Sequence, residues 1–378
     1  MPRKTADTSY KLLGHEISLY SGKARAYLRY KKIPFEENIS LRDYENIQKH
    51  IGRKIIPVVV TPEGEYIQDT TVIIDRLEEK FPNPSVYPTT PFQKLTSLLL
   101  EVYGDEWLLL PAMHYRWHYK RQNLWFVLKQ FGDVLKPHWP NWAKPIVALP
   151  AALYFGRMYK PHLGLTASTE AEVEISTEAF LKDFERHLKD HDFLLGSRPS
   201  IGDFGLIAPL YAHMAQDPYP KQWMQDIAPR VYDWTQRMQN PSGAAGHFLP
   251  DDEVPETLYP LLARMFKEQF PILGDTLKKV GEWVMENPEK PHLPRVIGRH
   301  DFTLGKATAN RAILPYQQWM FQRPLRYYHG LNETEKQKID PILKKLGGLD
   351  GLVQAIPQPL DYINHKLVVS TGPFIPSQ

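Results

Sequence analysis

The sequence predicts a small α/β domain at the amino terminus, an all-helical domain after it, and a further helical extension at the carboxyl end. Short runs rich in β-branched residues alternate with helical segments through residues 1–82. A proline-rich linker, 81–91, follows, and beyond it the apolar spacing is helical. A chain of 378 residues is long enough for two or three packed units. We therefore expect domains at 1–82, 92–245 and 246–378.

The elements of the first domain follow in the order β-α-β-α-β-β-α, with short loops throughout. Strands are expected at 16–20, 35–39, 55–60 and 66–67. Helices are expected at 23–32, 44–51 and 70–80. Ser21 and Gly22 are expected to form the turn between the first strand and the first helix. Because proline cannot donate a ladder hydrogen bond, a cis bond before Pro57 would account for its place at the head of a strand.

Composition and charge are those of an ordinary globular protein. Hydrophobic residues make up 42% and charged residues 24%, and the net charge is +3 without a dense lysine or arginine tract. We therefore expect no nucleic-acid partner. The longest apolar stretch, 145–155, is too short to span a bilayer, and the polar first residues lack the apolar core of a signal peptide. A cytoplasmic protein without a membrane span is expected.

The chain contains no cysteine. This excludes disulfides, thiolate metal sites and a cysteine nucleophile. Any thiol chemistry must therefore use a thiol that a ligand brings in. Tryptophan and tyrosine concentrate in 103–159, a pattern that is typical of either a core or an apolar pocket.

Three segments of the first domain, 19–25, 56–59 and 69–78, together resemble the N-terminal domain of glutathione transferases. The whole layout resembles an elongated transferase-like group that carries a C-terminal extension. The resemblance implies a thioredoxin-like first domain, an all-helical second domain, and glutathione as the cosubstrate. It also implies a homodimer.

The resemblance assigns the glutathione-binding residues. In that family the proline, here Pro57, is cis, and the backbone at the preceding residue, here Ile56, pairs with the cysteinyl part of the tripeptide. The residues that open the third helix, here Asp69 and Thr70, bind the γ-glutamyl end. A helix N-terminus offers free N–H groups and positive potential to a carboxylate, while Asp69 can hold the ammonium. The alternative is that Asp69 serves only as an N-cap.

The group that activates the thiol is expected near the end of the first strand. The family uses a tyrosine, serine or cysteine there, and a hydroxyl hydrogen bond together with the helix dipole favours the thiolate. Ser21 is the first candidate and Tyr20 the second, since Leu19 falls where tyrosine-type transferases have the tyrosine. Lys23 or Arg25 could instead supply positive charge to the thiolate. The alternative for both cations is a solvated helix face.

The helical domain has one clear structural signal and one aromatic cluster. Ser200 and Asp203 have the spacing of a capping box, which is structural in the family. In that family the first helical hairpin forms the electrophile pocket, so the resemblance implies such a pocket here, with ordinary core packing as the alternative. Its expected wall residues are Tyr103, Trp107, His114, Tyr115 and Trp117.

His114 and His118 lie four residues apart and would share a helical face near Asp105 and Glu106. This spacing alone is a weak indication of a metal site. We therefore expect no metal and treat metal-assisted hydrolysis only as a third hypothesis.

The extension is expected to pack on the helical domain as helices at 258–270, 272–287 and 312–322, with a polar segment at 293–304 between them. Its basic residues could form a positive site for a carboxylate-bearing substrate or for the glycine carboxylate of glutathione. The alternatives are paired surface charges, a dimer element or a lid. These basic residues are Arg295, Arg299, His300 and Arg311.

The leading hypothesis is an enzyme of the glutathione S-transferase type without a catalytic cysteine. It would be a transferase or lyase that activates the glutathione thiol for attack on a small apolar or aromatic electrophile. The competing hypothesis is a noncatalytic binding or scaffold protein that has kept the fold, because a fold does not dictate a function.

Overall fold

The structure is a computed structural model that describes residues 9–241 and 246–372. The outer ends of the expected first and third domains, and the last four residues of the second, lie outside the described residues. The N-terminal domain has four strands and three helices in the expected order. They are β1 (Tyr10–Leu13), α1 (Leu19–Tyr30), β2 (Phe35–Glu37), α2 (Leu41–Ile51), β3 (Val58–Val60), β4 (Tyr66–Gln68) and α3 (Thr70–Lys80).

The four strands form one sheet in the order β2-β1-β3-β4, with β1 and β2 parallel and the other neighbours antiparallel. Because side chains alternate along a strand, Leu12 and Val59 enter the main core, whereas Leu13 and Val58 pack with α2. The predicted thioredoxin-like domain is confirmed.

The first strand lies earlier than the sequence pattern predicted. Residues 16–20 are not a strand, and Ser21 and Gly22 are not a turn, because α1 already begins at Leu19. Ser18 caps this helix, with extended backbone angles (φ −86°, ψ 124°) and an Oγ that accepts the N–H of Ser21. The strand forms instead where Leu12 and Leu13 are fully or almost fully buried.

The second domain is helical, as predicted. Its helices are α4 (Pro91–Val102), α5 (Leu109–His118), α6 (Lys120–Leu135), α7 (Lys144–Leu163), α8 (Glu170–His187), α9 (Ile201–Pro209), α10 (Pro218–Ile227) and α11 (Pro229–Gln239). Two π-helical turns, Tyr103–Trp107 and Leu210–Met214, follow α4 and α9. The first of these turns lies directly against the backbone of α9, since a Cβ on Gly104 would lie 2.3 Å from the carbonyl carbon of Gly205.

The predicted capping box at the start of α9 is confirmed. The Asp203 carboxylate accepts the N–H of Ser200 at 2.8 Å and the N–H of Leu194 at 3.1 Å. It also accepts the indole N–H of Trp234 at 3.3 Å, although its side chain is fully buried. Asp203 therefore holds the start of the central helix, the preceding loop and α11 together.

The extension contains strands as well as the predicted helices. Its elements are a 3₁₀ turn (Glu256–Leu258), α12 (Tyr259–Glu268), α13 (Phe270–Glu286), β5 (Gly298–Leu304), β6 (Ala307–Ile313), α14 (Pro315–Gly330), α15 (Glu333–Leu346), α16 (Leu349–Val353), β7 (Leu360–Ile363) and β8 (Lys366–Val369). The strands form two antiparallel hairpins, β5–β6 and β7–β8. The segment 293–304 was described from the sequence only as polar, but the alternating burial of His300, Phe302 and Leu304 within it has the period of a strand.

The extension packs on both domains rather than on the helical domain alone. From α14, Arg323 forms an ion pair with Asp75 of α3 at 2.6 Å. The Tyr316 hydroxyl, in the first turn of α14, donates to Asp69 at 2.5 Å. From β7, the Tyr362 hydroxyl donates to Gln68 at 2.5 Å. The extension therefore covers the edge of the first domain at which β4 ends and α3 begins.

No helix within residues 9–241 and 246–372 combines the length and the hydropathy that a transmembrane segment needs.

We expect Asp203→Ala to lower the free energy of unfolding by about 3 kcal/mol, because the buried N–H groups of Ser200, Leu194 and Trp234 lose their acceptor. Urea unfolding followed by circular dichroism measures the change. Asp233→Ala is the matched control, since Asp233 is exposed on the neighbouring helix α11 and should change stability by at most about 0.5 kcal/mol. Equal effects of the two substitutions would contradict the role assigned to the capping box.

Candidate functional site

Three segments of the N-terminal domain meet at one edge of its sheet. In the register, Leu13 at the end of β1 lies opposite Val58 at the start of β3. Val58 in turn lies opposite Gln68, the last residue of β4. The loop after β1, the Ile56–Pro57 segment before β3 and the Asp69–Thr70 segment after β4 therefore lie at the same edge.

Ser18 is the hydroxyl that the structure places at the N-terminus of α1. Its side chain is half-buried, and its Oγ accepts the N–H of Ser21 at 3.3 Å. The N-terminus of a helix carries positive potential, which favours a nearby anion. The sequence analysis missed Ser18 because the strand was misplaced over it. The signal that could have found it is a serine immediately before the apolar residues of a helix.

The two predicted catalytic residues lie on the first turn of α1 and already have partners. Ser21 is fully buried, and its Oγ accepts the N–H of His15 at 3.3 Å. The Tyr20 hydroxyl donates to the carbonyl of Asp105 at 3.0 Å. Burial raises the pKa of Tyr20 well above its usual value, and the carboxylates of Glu106 and Asp105 raise it further. Tyr20 is therefore protonated at neutral pH.

Lys23 and Arg25 are buried rather than solvated, and each is held by carboxylates. The Lys23 ammonium lies 3.0 Å from Glu101 and 2.5 Å from Asp105. Burial by itself would lower the pKa of Lys23, but these two carboxylates raise it above its usual value. The Arg25 guanidinium bonds Glu37 at 2.5 and 2.6 Å. Both cations therefore fix α1 to its surroundings.

The Ile56–Pro57 bond is cis, as the resemblance implied. Pro57 is buried and Ile56 half-buried. Among the described residues, neither the N–H nor the C=O of Ile56 has a hydrogen-bond partner, since the ladder of β3 begins at Val58. This backbone is open to pairing with a ligand.

Asp69 caps α3 and is also held by the extension. Its Oδ1 accepts the N–H groups of Thr71 at 2.9 Å and Val72 at 3.4 Å. Its Oδ2 accepts the hydroxyl of Tyr316 at 2.5 Å. Burial raises the pKa of Asp69, and the hydrogen bond from Tyr316 works against that rise. The backbone of Asp69 has a positive φ of 83°, which non-glycine residues adopt rarely. The neighbouring Thr70 is 5% exposed.

A group of polar side chains joins the N-terminal domain, the helical domain and the extension. We name it the central polar cluster, and its members are Tyr20, Asp69, Asp105, Glu106 and Tyr316. Asp105 and Glu106 come from the π-helical turn after α4, a geometry often found at functional sites. Burial raises the pKa of Asp105 to about 7, with Lys23 opposing the rise. Burial and the carboxylates of Asp105 and Asp69 raise the pKa of Glu106 to about 8. Glu106 is therefore mostly protonated at neutral pH.

The predicted wall residues of an electrophile pocket do not come together as one surface. Tyr103 and Trp107 line a small cavity with Phe180 and Leu304. Tyr115 instead stacks on Trp223, with 4.8 Å between ring centroids. Trp117 packs against Gly156, since a Cβ added to this glycine would lie 3.0 Å from the indole ring. His114 forms a hydrogen bond with Glu174. These three side chains therefore belong to the packing between helices of the second domain.

His114, His118 and Glu170 place potential metal-ligand atoms within 4.8 Å of one another. His118 lies 3.2 Å from Glu170, and His114 lies 2.9 Å from Glu174. The Lys160 ammonium lies 3.1 Å from the same Glu170. The carboxylate of Glu170 therefore has a cationic partner without a metal ion. The expectation that the protein holds no metal stays a prediction.

Comparison with known proteins gave two family matches. Residues 12–85 match the glutathione S-transferase N-terminal domain, and residues 169–237 match the glutathione S-transferase C-terminal domain. The comparison with curated proteins gave no match.

Similar solved structures were also found. They include the β-etherase LigF from Sphingobium sp. strain SYK-6, with 17% identity over 62% of this chain and 96% of that chain, at a TM-score of 0.44. They also include a glutathione S-transferase from Methylobacterium radiotolerans in complex with glutathione sulfonate, with 20% identity over 65% of this chain and 100% of that chain, at a TM-score of 0.41. A Tau class glutathione S-transferase from mango, Mangifera indica, has 18% identity over 68% of this chain and 96% of that chain, at a TM-score of 0.38.

The two matched domains coincide with two parts of the described fold. The first covers the sheet domain with Ser18, Ile56 and Asp69, and the second covers helices α8 to α10 and most of α11. Residues 246–372, with their two hairpins, lie beyond both matches. Two segments of the chain therefore match the N-terminal and C-terminal domains of glutathione S-transferases, and the chain also carries an extension that covers the edge of its N-terminal domain.

Proposed function

We propose that this protein binds glutathione at the edge of its sheet and uses the thiol in a transferase or lyase reaction. The observation that carries the proposal is the meeting of the Ser18 hydroxyl, the unpaired backbone of Ile56 and the Asp69 carboxylate at that edge. Glutathione is the cosubstrate that the two domain matches imply. The absence of cysteine from the chain leaves the ligand thiol as the reacting sulfur.

Each of these groups has a chemical role in the proposal. The N–H and C=O of Ile56 pair with the backbone of the cysteinyl residue. The Asp69 carboxylate accepts hydrogen bonds from the γ-glutamyl ammonium. The positive potential at the N-terminus of α3, beside Thr70, attracts the γ-glutamyl carboxylate. The thiol then lies toward the N-terminus of α1, where the Ser18 hydroxyl and the helix dipole both favour the thiolate.

Ser18 replaces Ser21 and Tyr20 as the first candidate for thiol activation. Ser21 is fully buried, and the Tyr20 hydroxyl is engaged by Asp105. A hydroxyl that stabilises a thiolate must donate a hydrogen bond to the sulfur. The Oγ atoms of Ser21 and Ser18 each only accept a hydrogen bond in this structure, but Ser21 is fully buried, whereas Ser18 is half-buried. Its proton is therefore available to a ligand.

A second candidate function is a noncatalytic binding or scaffold protein. The observation that favours it is the hydrogen bond from Tyr316 to Asp69, which occupies the carboxylate expected to hold the γ-glutamyl ammonium. In this alternative the extension keeps the site closed. The cytoplasmic location, the homodimer and an apolar or aromatic electrophile stay predictions under either function.

We expect Ser18→Ala to raise the pKa of the bound glutathione thiol by about 1–2 units, because the thiolate loses a hydrogen bond. Titration of the ultraviolet absorbance of the thiolate in the complex measures this pKa. Ser21→Ala is the matched control and should leave it unchanged, and thermal unfolding of both variants establishes that they are folded. A shift in Ser21→Ala with none in Ser18→Ala would assign the activation to Ser21.

We expect Tyr316→Phe to strengthen glutathione binding roughly five- to tenfold, since Asp69 no longer has to exchange an internal hydrogen bond for the ligand. Isothermal titration calorimetry measures the affinity. Tyr327→Phe, on the same helix and half-buried, is the control and should leave the affinity unchanged. If neither the unaltered protein nor Tyr316→Phe binds glutathione, the enzymatic proposal fails and the noncatalytic alternative stands.

A further inference from the structure

Arg311 on β6 is a buried cation without a hydrogen-bond partner. Its residue is 1% exposed, yet none of its three guanidinium nitrogens has a partner among the described residues. The guanidinium lies 5.5 Å from the centroid of Trp107 and 5.6 Å from that of Phe302, and these two rings contact each other edge to face. Rings stabilise the cation, but they leave its five N–H donors unsatisfied. A buried and unpaired charge is costly, so its presence calls for an occupant of opposite charge.

The titratable groups next to Arg311 do not neutralise it. Glu106 is the nearby acid, but it forms no ion pair with Arg311 within the described part of the chain and is mostly protonated at neutral pH. Burial lowers the pKa of Arg311 only to about 10, so the guanidinium keeps its charge. His300 lies opposite Arg311 in the hairpin, and its Nδ1 forms a hydrogen bond with Asp275. Burial lowers the pKa of His300. One net positive charge therefore remains in this region.

The position of Arg311 connects it to the proposed thiol site. Its neighbour Glu106 belongs to the central polar cluster, and the adjacent Asp105 accepts the hydroxyl of Tyr20 on the first turn of α1. Gln317, which donates to the carbonyl of Glu106 at 3.4 Å, also has a buried and unpaired Oε1. Unpaired polar atoms thus lie on the side of the cluster formed by the extension. Among them, the N–H groups of Arg311 are the donors that an anionic ligand group would satisfy.

We propose that Arg311 binds a carboxylate on the second substrate, the electrophile that the glutathione thiol attacks. The inference rests on the proposed function and specifies its substrate as a monoanionic carboxylic acid with an apolar or aromatic body. A planar guanidinium matches a carboxylate in a two-point hydrogen bond, and one cation balances one negative charge. Trp107 and Phe302 supply apolar surface beside it for the body of the substrate.

Arg311 is not assigned to glutathione itself. Its guanidinium lies near the rings of Trp107 and Phe302 and is influenced electrostatically by Glu106, and within the described residues no hydrogen bond or ion pair joins it to the Ile56–Pro57 or Asp69–Thr70 segments. The hairpin β5–β6, which carries Arg311, packs against the end of α7, where a Cβ on Gly164 would lie 2.3 Å from the ring of Phe302 and 3.2 Å from the Cβ of Arg311. Because Arg311 is enclosed, the substrate reaches it only when this hairpin moves away from α7.

The test compares S-(4-carboxybenzyl)glutathione with S-benzylglutathione by calorimetry on the full chain. We expect the carboxylate conjugate to bind about tenfold more tightly than its uncharged counterpart. Arg311→Met should abolish this preference without changing the affinity for S-benzylglutathione or glutathione. Arg295→Met is the matched control, because Arg295 is exposed in the same extension, and it should keep the preference. Equal affinities of the two conjugates for the unaltered protein would overturn the proposal, as would an equal loss of both in Arg311→Met.

Two further measurements separate this inference from the proposed function. Benzoate without glutathione should raise the melting temperature of the unaltered protein but not of Arg311→Met, and benzamide should raise neither. Retention of this benzoate effect in a protein that fails to bind glutathione would sink the proposed function and keep the subsite. Without ligand, Arg311→Met should melt at the same temperature as the unaltered protein or higher, since an unpaired buried charge is removed. A lower melting temperature would show that Arg311 is a structural cation and would overturn the proposal.

Discussion

The rest of the structure depends on the ion pairs and the hydrogen bond that the buried carboxylate of Glu101 forms. Glu101, on α4, is fully buried and lies 3.0 Å from the Lys23 ammonium of α1. It also accepts the Thr71 hydroxyl of α3 at 3.2 Å and lies 3.6 Å from the guanidinium of Arg323 on α14. One carboxylate therefore contacts the sheet domain, the helical domain and the extension. Removing one partner of such a group leaves a buried charge uncompensated, which typically costs about 3–5 kcal/mol.

This junction determines the chemistry of the neighbouring site. Because Lys23 is shared between Glu101 and Asp105, the π-helical turn after α4 is held against the first turn of α1. The turn brings Asp105 and Glu106 into the same buried region, where water does not stabilise two negative charges. Their raised pKa values follow from that burial. A carboxyl group that stays protonated at neutral pH, such as Glu106, leaves the charge of Arg311 available to a ligand.

The extension changes what the two matched domains present to a ligand. It supplies Tyr316 to the carboxylate of Asp69 and Arg311 to the far side of the central polar cluster. The sequence predicted that aromatic residues of the first helical hairpin line a pocket. Most of them instead pack between helices, as the stacking of Tyr115 on Trp223 shows. Under the proposed function, specificity for the second substrate would depend more on the extension than on that hairpin.

The sequence by itself determined the features that depend on neighbouring residues. The alternation of strands and helices, Pro57 before β3, Asp69 at the start of α3 and the capping box at Ser200 and Asp203 all follow from local periodicity and capping. Even the misplaced first strand left a local signal, since Ser18 directly precedes the apolar first residue of α1. The absence of cysteine likewise limited the chemistry without any structure.

Only the tertiary structure decided the features that depend on distant residues. Lys23 reads as an ordinary helix charge until Glu101, 78 residues away, is packed against it. The Tyr316 hydroxyl bonds Asp69, which lies 247 residues earlier in the chain. The local pattern places Arg311 on a strand, but only the fold shows that Trp107 and Phe302 pack beside its guanidinium. Burial and pKa are properties of the whole packed surroundings. A local sequence pattern therefore predicts where a side chain lies along its helix or strand, but not which charge or ring will face it.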